Sequence, residues 1–152
     1  MIDATLSTRA SGMTLPIMPQ SAALCYRFVQ GQPKILLITT RKSGRWIIPK
    51  GWLIKGLSPS GTAQQEAWEE AGVRGTCNEV PLGQYFYQKR RAKKGDVVCA
   101  VDVFPLLVQS SASRFPECGQ RQKCWVSPEK AALRVNSPDL ALLFRKLGPV
   151  TH

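Results

Sequence analysis

The chain has 152 residues, 43% hydrophobic and 20% charged, which suits one domain with a core of ordinary size and leaves no room for a second. That balance excludes bulk disorder, and the longest apolar stretch, Val97 to Val108, is broken by Asp102 and Pro105, short of the about 20 residues that a membrane-spanning helix needs. Lysine and arginine number 21 against 10 acids, a net charge of +11, which predicts attraction to polyanions, whether phosphorylated small molecules, nucleic acid or an anionic membrane, and names the partner's sign only.

Residues 1–20 are rich in Ser, Thr, Ala and Pro without a helical or strand period, and they read as a poorly ordered lead-in to a single domain over 21–148. Ala22 to Val29 and Ile35 to Thr40 are β-type runs split by Gln30-Gly31-Gln32-Pro33, a predicted hairpin. Trp46-Ile47-Ile48 is a third short strand stopped by Pro49, and Lys50 to Ser58 is a polar, glycine-bearing loop. Ser58 suits an N-cap, Pro59 the first helical position and Gly72 the residue past the last turn, so a helix is predicted over Pro59 to Ala71.

Strands are expected at Val73–Cys77, Gln84–Gln88, Val97–Leu107 and Lys123–Ser127, with Lys89 to Gly95 as a basic connection. Ser127-Pro128-Glu129 opens a short helix to Leu133, and Ser137-Pro138-Asp139 opens a last one, whose Leu140, Leu143, Phe144 and Leu147 recur at helical spacing. The five cysteines form no C-x-x-C pair and the only histidine is His152, so no structural zinc is expected and the thiols fit a reducing cytoplasm. No secretory signal is read at the N-terminus, which makes a cytoplasmic location the expectation. The expected state is a monomer or homodimer.

Glu66, Glu69 and Glu70 fall at i, i+3 and i+4 of the predicted helix and share one face. Like charges so placed repel, and a hard divalent cation, Mg²⁺ or Mn²⁺, is the natural counterweight. Ala63, Ala67 and Ala71 form the adjoining stripe, small enough to bring the helix close to a sheet. A run of glutamates on a helix is often only a solvated face; here three of the ten acids of a basic chain follow a strand and a glycine-bearing loop.

The segment from Gly51 to Val73 resembles the Nudix box, G-x5-E-x7-R-E-U-x-E-E-x-G-U, where U is aliphatic. Gly51, Glu66, Glu69, Glu70, Gly72 and Val73 match in register, Leu57 replaces the first glutamate and Gln65 replaces the arginine. Ala22 to Arg27, Ile35-Leu36-Leu37, Arg41, Arg45 to Gly51 and Trp125 are similar to the diphosphoinositol polyphosphate phosphohydrolase branch of that family. The resemblance implies an α/β (α+β) fold, the Nudix α/β/α sandwich with a mixed β-sheet between helices, and hydrolysis of a phosphoanhydride.

The same resemblance implies roles. Glu66 and Glu70 would bind Mg²⁺ or Mn²⁺ with the backbone carbonyl of Lys50 or Gly51, and Glu69 would be the general base or a further metal ligand. Arg41, Arg45, Arg90, Arg121 and Lys50 would meet the substrate's phosphates, a task that suits arginine's bidentate fork. Candidate substrates are nucleoside-diphosphate-linked, dinucleoside polyphosphate or diphosphoinositol polyphosphate-like compounds. Met18-Pro19-Gln20 stands where eukaryotic members of the branch carry basic residues, which argues against the inositol compounds as the main substrate. Trp46, Trp52 and Trp125 could stack on a base, but core packing is the commoner use of such side chains. The rival expectation is a catalytically weak Nudix-fold module that binds RNA or a signalling nucleotide, with Leu57 and Gln65 as its support.

Overall fold

The computed structural model describes residues 8–10 and 13–147. β1 (Thr8–Ala10) and β2 (Met13–Leu15) pair antiparallel as a small sheet of their own. Among the described residues, eight strands build the main sheet: β3 (Ile17–Val29), β4 (Gln32–Thr39), β5 (Trp46–Ile47), β6 (Lys50–Trp52), β7 (Val73–Cys77), β8 (Gly83–Lys89), β9 (Val97–Ser111) and β10 (Lys123–Val126). The central path runs β10-β4-β3-β9-β7, with β5 on β4, β6 on β3 and β8 on β9. β3 and β9 pair in parallel and the other pairs are antiparallel, so the sheet is mixed.

Strand alternation assigns the apolar side chains to two layers. Leu24, Ile35, Leu37, Val101 and Val103 face one side, where α2 (Pro128–Arg134) and α3 (Pro138–Leu147) add Ala131, Leu140, Leu143 and Phe144. Ala23, Cys25, Leu36, Ile38, Phe104 and Leu106 face the other side, where α1 (Pro59–Ala71) adds Ala63, Ala67 and Ala71. Each fully buried Leu, Ile, Val or Phe contributes about 1.5–3 kcal/mol of transfer free energy. The result is the expected sandwich of helices on both faces of a mixed sheet.

α1 has the ends that its sequence marks. Ser58 Oγ accepts from the Gly61 N–H at 3.0 Å, and Gly72 takes the left-handed conformation at φ 71°, donating its N–H to the Trp68 carbonyl at 3.0 Å.

Two segments differ from the sequence reading. Lys50–Trp52, expected as loop, is β6, antiparallel to β3 with Ser21 opposite Gly51; three residues are too few to show a period, and pairing with a distant strand decides their form. Within 1–20, residues 17–20 belong to β3, which pairs in parallel with β9 from Ile17 opposite Val98 to Tyr26 opposite Leu107. The segment has no strand period of its own; Pro19 lies one residue beyond the β6 pairing, and the strand is held there by β9. The rest of the expected lead-in that is described is β1, β2 and Pro16, whereas residues 1–7 and 11–12 lie outside the described residues. Gly148 and His152 also lie outside them.

Candidate active site

Three pieces of chain meet around the glutamates: the turn from β5 into β6, the last turns of α1, and the loop 112–122 ahead of β10. Gly51 makes the first approach possible. A Cβ on it would stand 2.5 Å from the carboxyl carbon of Glu66, so only a bare backbone lets the start of β6 lie against that carboxylate. One residue earlier, the Lys50 N–H donates to Glu70 Oε1 at 3.2 Å. Glu70 is 8% exposed, and Arg121 Nη2 stands 3.7 Å from its Oε2.

Glu66 and Glu70, one helical turn apart on α1, stand close enough for each to act on the other's charge. Burial first, then the neighbouring Glu70 and the charge of Glu69, push Glu66 up to about 8. Burial raises Glu70 as well, against the opposing pull of the Arg121 guanidinium. Two carboxylates held this close disfavour each other's charge, which a cation between them would offset. Glu69 is turned to a different partner: its Oε2 accepts from Gln65 Nε2 at 2.6 Å, and its main-chain carbonyl accepts from the Glu117 N–H at 2.9 Å.

Among the described residues, no three Asp, Glu, His or Cys side chains are gathered tightly enough to hold an ion by themselves. The donor set still fits a hard, small cation. Mg²⁺ is ordinarily bound by one or two carboxylates, with water and substrate phosphate completing its shell, and Glu66 and Glu70 supply that pair beside the backbone of Lys50 and Gly51. Ser21, opposite Gly51 and beside Asp102 in register, adds a fully buried hydroxyl whose Oγ has no hydrogen-bond partner among the described residues.

The expected phosphate contacts are scattered. Arg41 and Arg121 line one open cleft of about 430 Å³ with Thr39 to Gly44 and Gly119 to Gln122, where Arg41 Nη1 donates to Gln120 Oε1 at 3.2 Å. Arg45 and Arg90 are exposed and do not line it. The Lys50 ammonium points to the opposite face of the sheet, 4.8 Å from the centre of the Tyr87 ring, whose hydroxyl donates to Gln20 Oε1 at 2.8 Å. Burial lowers the Lys50 pKa, against the pull of Glu70. Trp46 and Trp52 pack on the α2/α3 side of the core, and Arg27 lies 4.0 Å from the centre of the Trp125 ring. Asp102 Oδ1 accepts from Gln84 Nε2 at 2.8 Å.

Sequence reading missed Glu117 and Ser21. Glu117 lies in an irregular stretch with no period to place it, and only the return of loop 112–122 to α1 brings it to Glu69. Ser21 reads as one more small residue of a β-run. Its register opposite Gly51 is what makes it part of the site, and that register depends on β6.

A NUDIX domain model matches residues 18–147. "Nudix hydrolase 4" of Arabidopsis thaliana is 34% identical over 98 residues, 64% of this chain and 45% of that protein. "Diphosphoinositol polyphosphate phosphohydrolase 2" of Mus musculus is 35% identical over 72 residues, 47% of this chain and 40% of the relative. This chain thus spans about half the length of the relatives it matches, or less. Among solved structures, a C. elegans Ap4A hydrolase has a TM-score of 0.63 at 21% identity, covering 86% of this chain and 96% of its own. The NUDIX domain of Shewanella oneidensis NrtR, complexed with ADP ribose, has a TM-score of 0.62 at 16% identity, covering 86% and 87%. At these identities the structural likeness speaks for the fold, and with the match over 18–147 it places the chain in the NUDIX domain family.

Proposed function

We propose that this protein is a divalent-metal-dependent hydrolase of phosphoanhydride bonds. The observation that carries the reading is the corner where Gly51 lies bare against Glu66 and the Lys50 N–H meets Glu70. Glu66 and Glu70 would hold Mg²⁺ or Mn²⁺ there, joined by the backbone carbonyl of Lys50 or Gly51. When bound, such an ion supplies charge neutralisation on the phosphoanhydride oxygens and acidifies the attacking water. Glu69 is the general base: Gln65 occupies its Oε2 and leaves Oε1 to take the proton of that water. It sits on the same rigid helix as the other two glutamates, so its distance to the reacting centre is fixed by α1.

The substrate is a phosphorylated small molecule with a diphosphate or longer bridge. A dinucleoside polyphosphate, a nucleoside-diphosphate-linked compound and a diphosphoinositol polyphosphate are the three classes that the names of the relatives and the bound ADP ribose support. Arg41, in the cleft that Arg121 also lines, is the phosphate-binding cation best placed to act; Arg45 and Arg90 add exposed positive charge outside it, and Lys50 contributes through its backbone, its ammonium being turned to the opposite face of the sheet. Among the described residues, no helix is long and apolar enough to cross a membrane, and five thiols suit a reducing, cytoplasmic setting.

The test is release of phosphate or nucleotide from a panel of diadenosine tetraphosphate, ADP-ribose, a diphosphoinositol phosphate and nucleoside triphosphates, with Mg²⁺, Mn²⁺ and chelator arms. Chelator-sensitive turnover of one member supports the reading. Silence across the panel, together with RNA binding that weakens steeply with salt, would replace it with the binding-module alternative.

A further inference from the structure

We infer that Arg121 is a positioning residue for the carboxylate pair, aiming Glu70 through a fixed guanidinium, and that it does not bind the substrate's phosphates; the inference rests on the metal-binding reading above. α1 brings Glu66, Glu69 and Glu70 and carries no lysine, arginine or histidine. Its one amide beside them, Gln65, is spent on Glu69. The guanidinium that faces Glu70 comes from the far side of the site, at the end of loop 112–122.

That guanidinium is held on several sides. Nε and Nη2 donate to Glu117 Oε1 at 3.2 and 3.0 Å, and Nη1 donates to the Thr39 carbonyl at 3.0 Å. The Arg121 side chain is 8% exposed. Its neighbours are held in turn: the Glu117 N–H donates to the Glu69 carbonyl, the Gln122 N–H donates to Thr39 Oγ1 at 2.9 Å, and the Thr39 N–H donates to the Gln122 carbonyl at 3.1 Å. Arg121, Glu117 and α1 therefore form a closed circuit that ties the loop to the turn carrying Glu69 and Glu70. Swinging Arg121 out to a phosphate would leave a half-buried carboxylate and a backbone carbonyl unpaired, a cost that a substrate contact would have to exceed.

The two roles predict opposite signs for one measurement: Mn²⁺ binding to the substrate-free protein. By Coulomb's law alone, removing a positive charge beside Glu70 tightens cation binding. Loss of a positioning group weakens it, by about tenfold or more where the partner of a ligand is removed. The experiment compares wild type, Arg121→Gln and Arg121→Lys by titration with Mn²⁺, followed by kcat and KM on the substrate found by the panel.

The expected result is weaker Mn²⁺ binding in Arg121→Gln, an intermediate value in Arg121→Lys, and a lower kcat with KM little changed. Unchanged or tighter Mn²⁺ binding with a raised KM would overturn the inference and make Arg121 a substrate contact. If Arg121→Gln fails to fold, judged by near-ultraviolet circular dichroism, Arg121→Lys decides alone, since it keeps the charge and loses the fork: binding equal to wild type overturns the inference and weaker binding supports it. A wild-type protein that takes up no Mn²⁺ overturns the metal reading and this inference together, which separates that failure from the failure of Arg121 alone.

Discussion

The Glu66 carboxylate fills the space beside Gly51 where a side chain would begin: a Cβ at position 51 would stand 2.5 Å from its carboxyl carbon. Gly51→Ala must therefore move either β6 or the carboxylate. Misplacing a reacting group by about 1 Å can cost about 100-fold in rate, and the carboxylate, as the far end of a flexible side chain, gives way at little cost in stability. The expected outcome is a fall in kcat of that order with a melting temperature near that of wild type, and wild-type kcat in this variant would mean that Glu66 is not in the reacting site.

Stability without metal should fall as pH rises. Glu66 titrates near 4.5 when the chain is unfolded and is pushed up to about 8 in the fold, mainly by burial. The folded state thus holds the proton more tightly, so this stabilisation is fully present below 4.5 and lost as pH rises through about 8. Melting temperature measured in chelator should decline across that window, with Glu66→Gln flattening the decline. Adding Mg²⁺ at the alkaline end should restore stability, since a ligand of the folded state alone stabilises it.

Gly72 ends α1 at φ 71°, and a Cβ there would also run into the Phe115 ring. A left-handed backbone costs a residue with a side chain about 1–2 kcal/mol, and displacing Phe115 disturbs its packing on Trp68, whose ring centre is 6.5 Å away. Gly72→Ala should lower the denaturation midpoint by at least that cost. It should also lower activity, because the loop that carries Phe115 carries Glu117 and Arg121. Denaturant titration and kcat, measured side by side, check both halves.

What was legible in the sequence is what local chemistry fixes. Ser58, Pro59 and Gly72 bracketed α1, helical spacing put Glu66, Glu69 and Glu70 on it, and Leu140, Leu143 and Phe144 marked the buried face of α3. β6 and the first residues of β3 were not legible, because neither stretch shows a strand period of its own, whereas pairing across the sheet decides both. In the site, the helix carboxylates were legible from spacing. Glu117 and the burial of Arg121 were not, since they depend on how an irregular loop returns to α1, and no local pattern encodes that return.

Whether Glu70 belongs to a metal-dependent hydrolytic site is decided by Mg²⁺-dependent release of product from one substrate by wild type and by Glu70→Gln. The amide keeps the shape and can still accept from the Lys50 N–H, so the fold should hold to within about 1 kcal/mol, while the anionic ligand is lost. Chelator-sensitive turnover is expected in wild type and none above background in a folded Glu70→Gln; wild-type turnover in that variant, or turnover indifferent to chelator in the parent, would mean that Glu70 holds no catalytic metal.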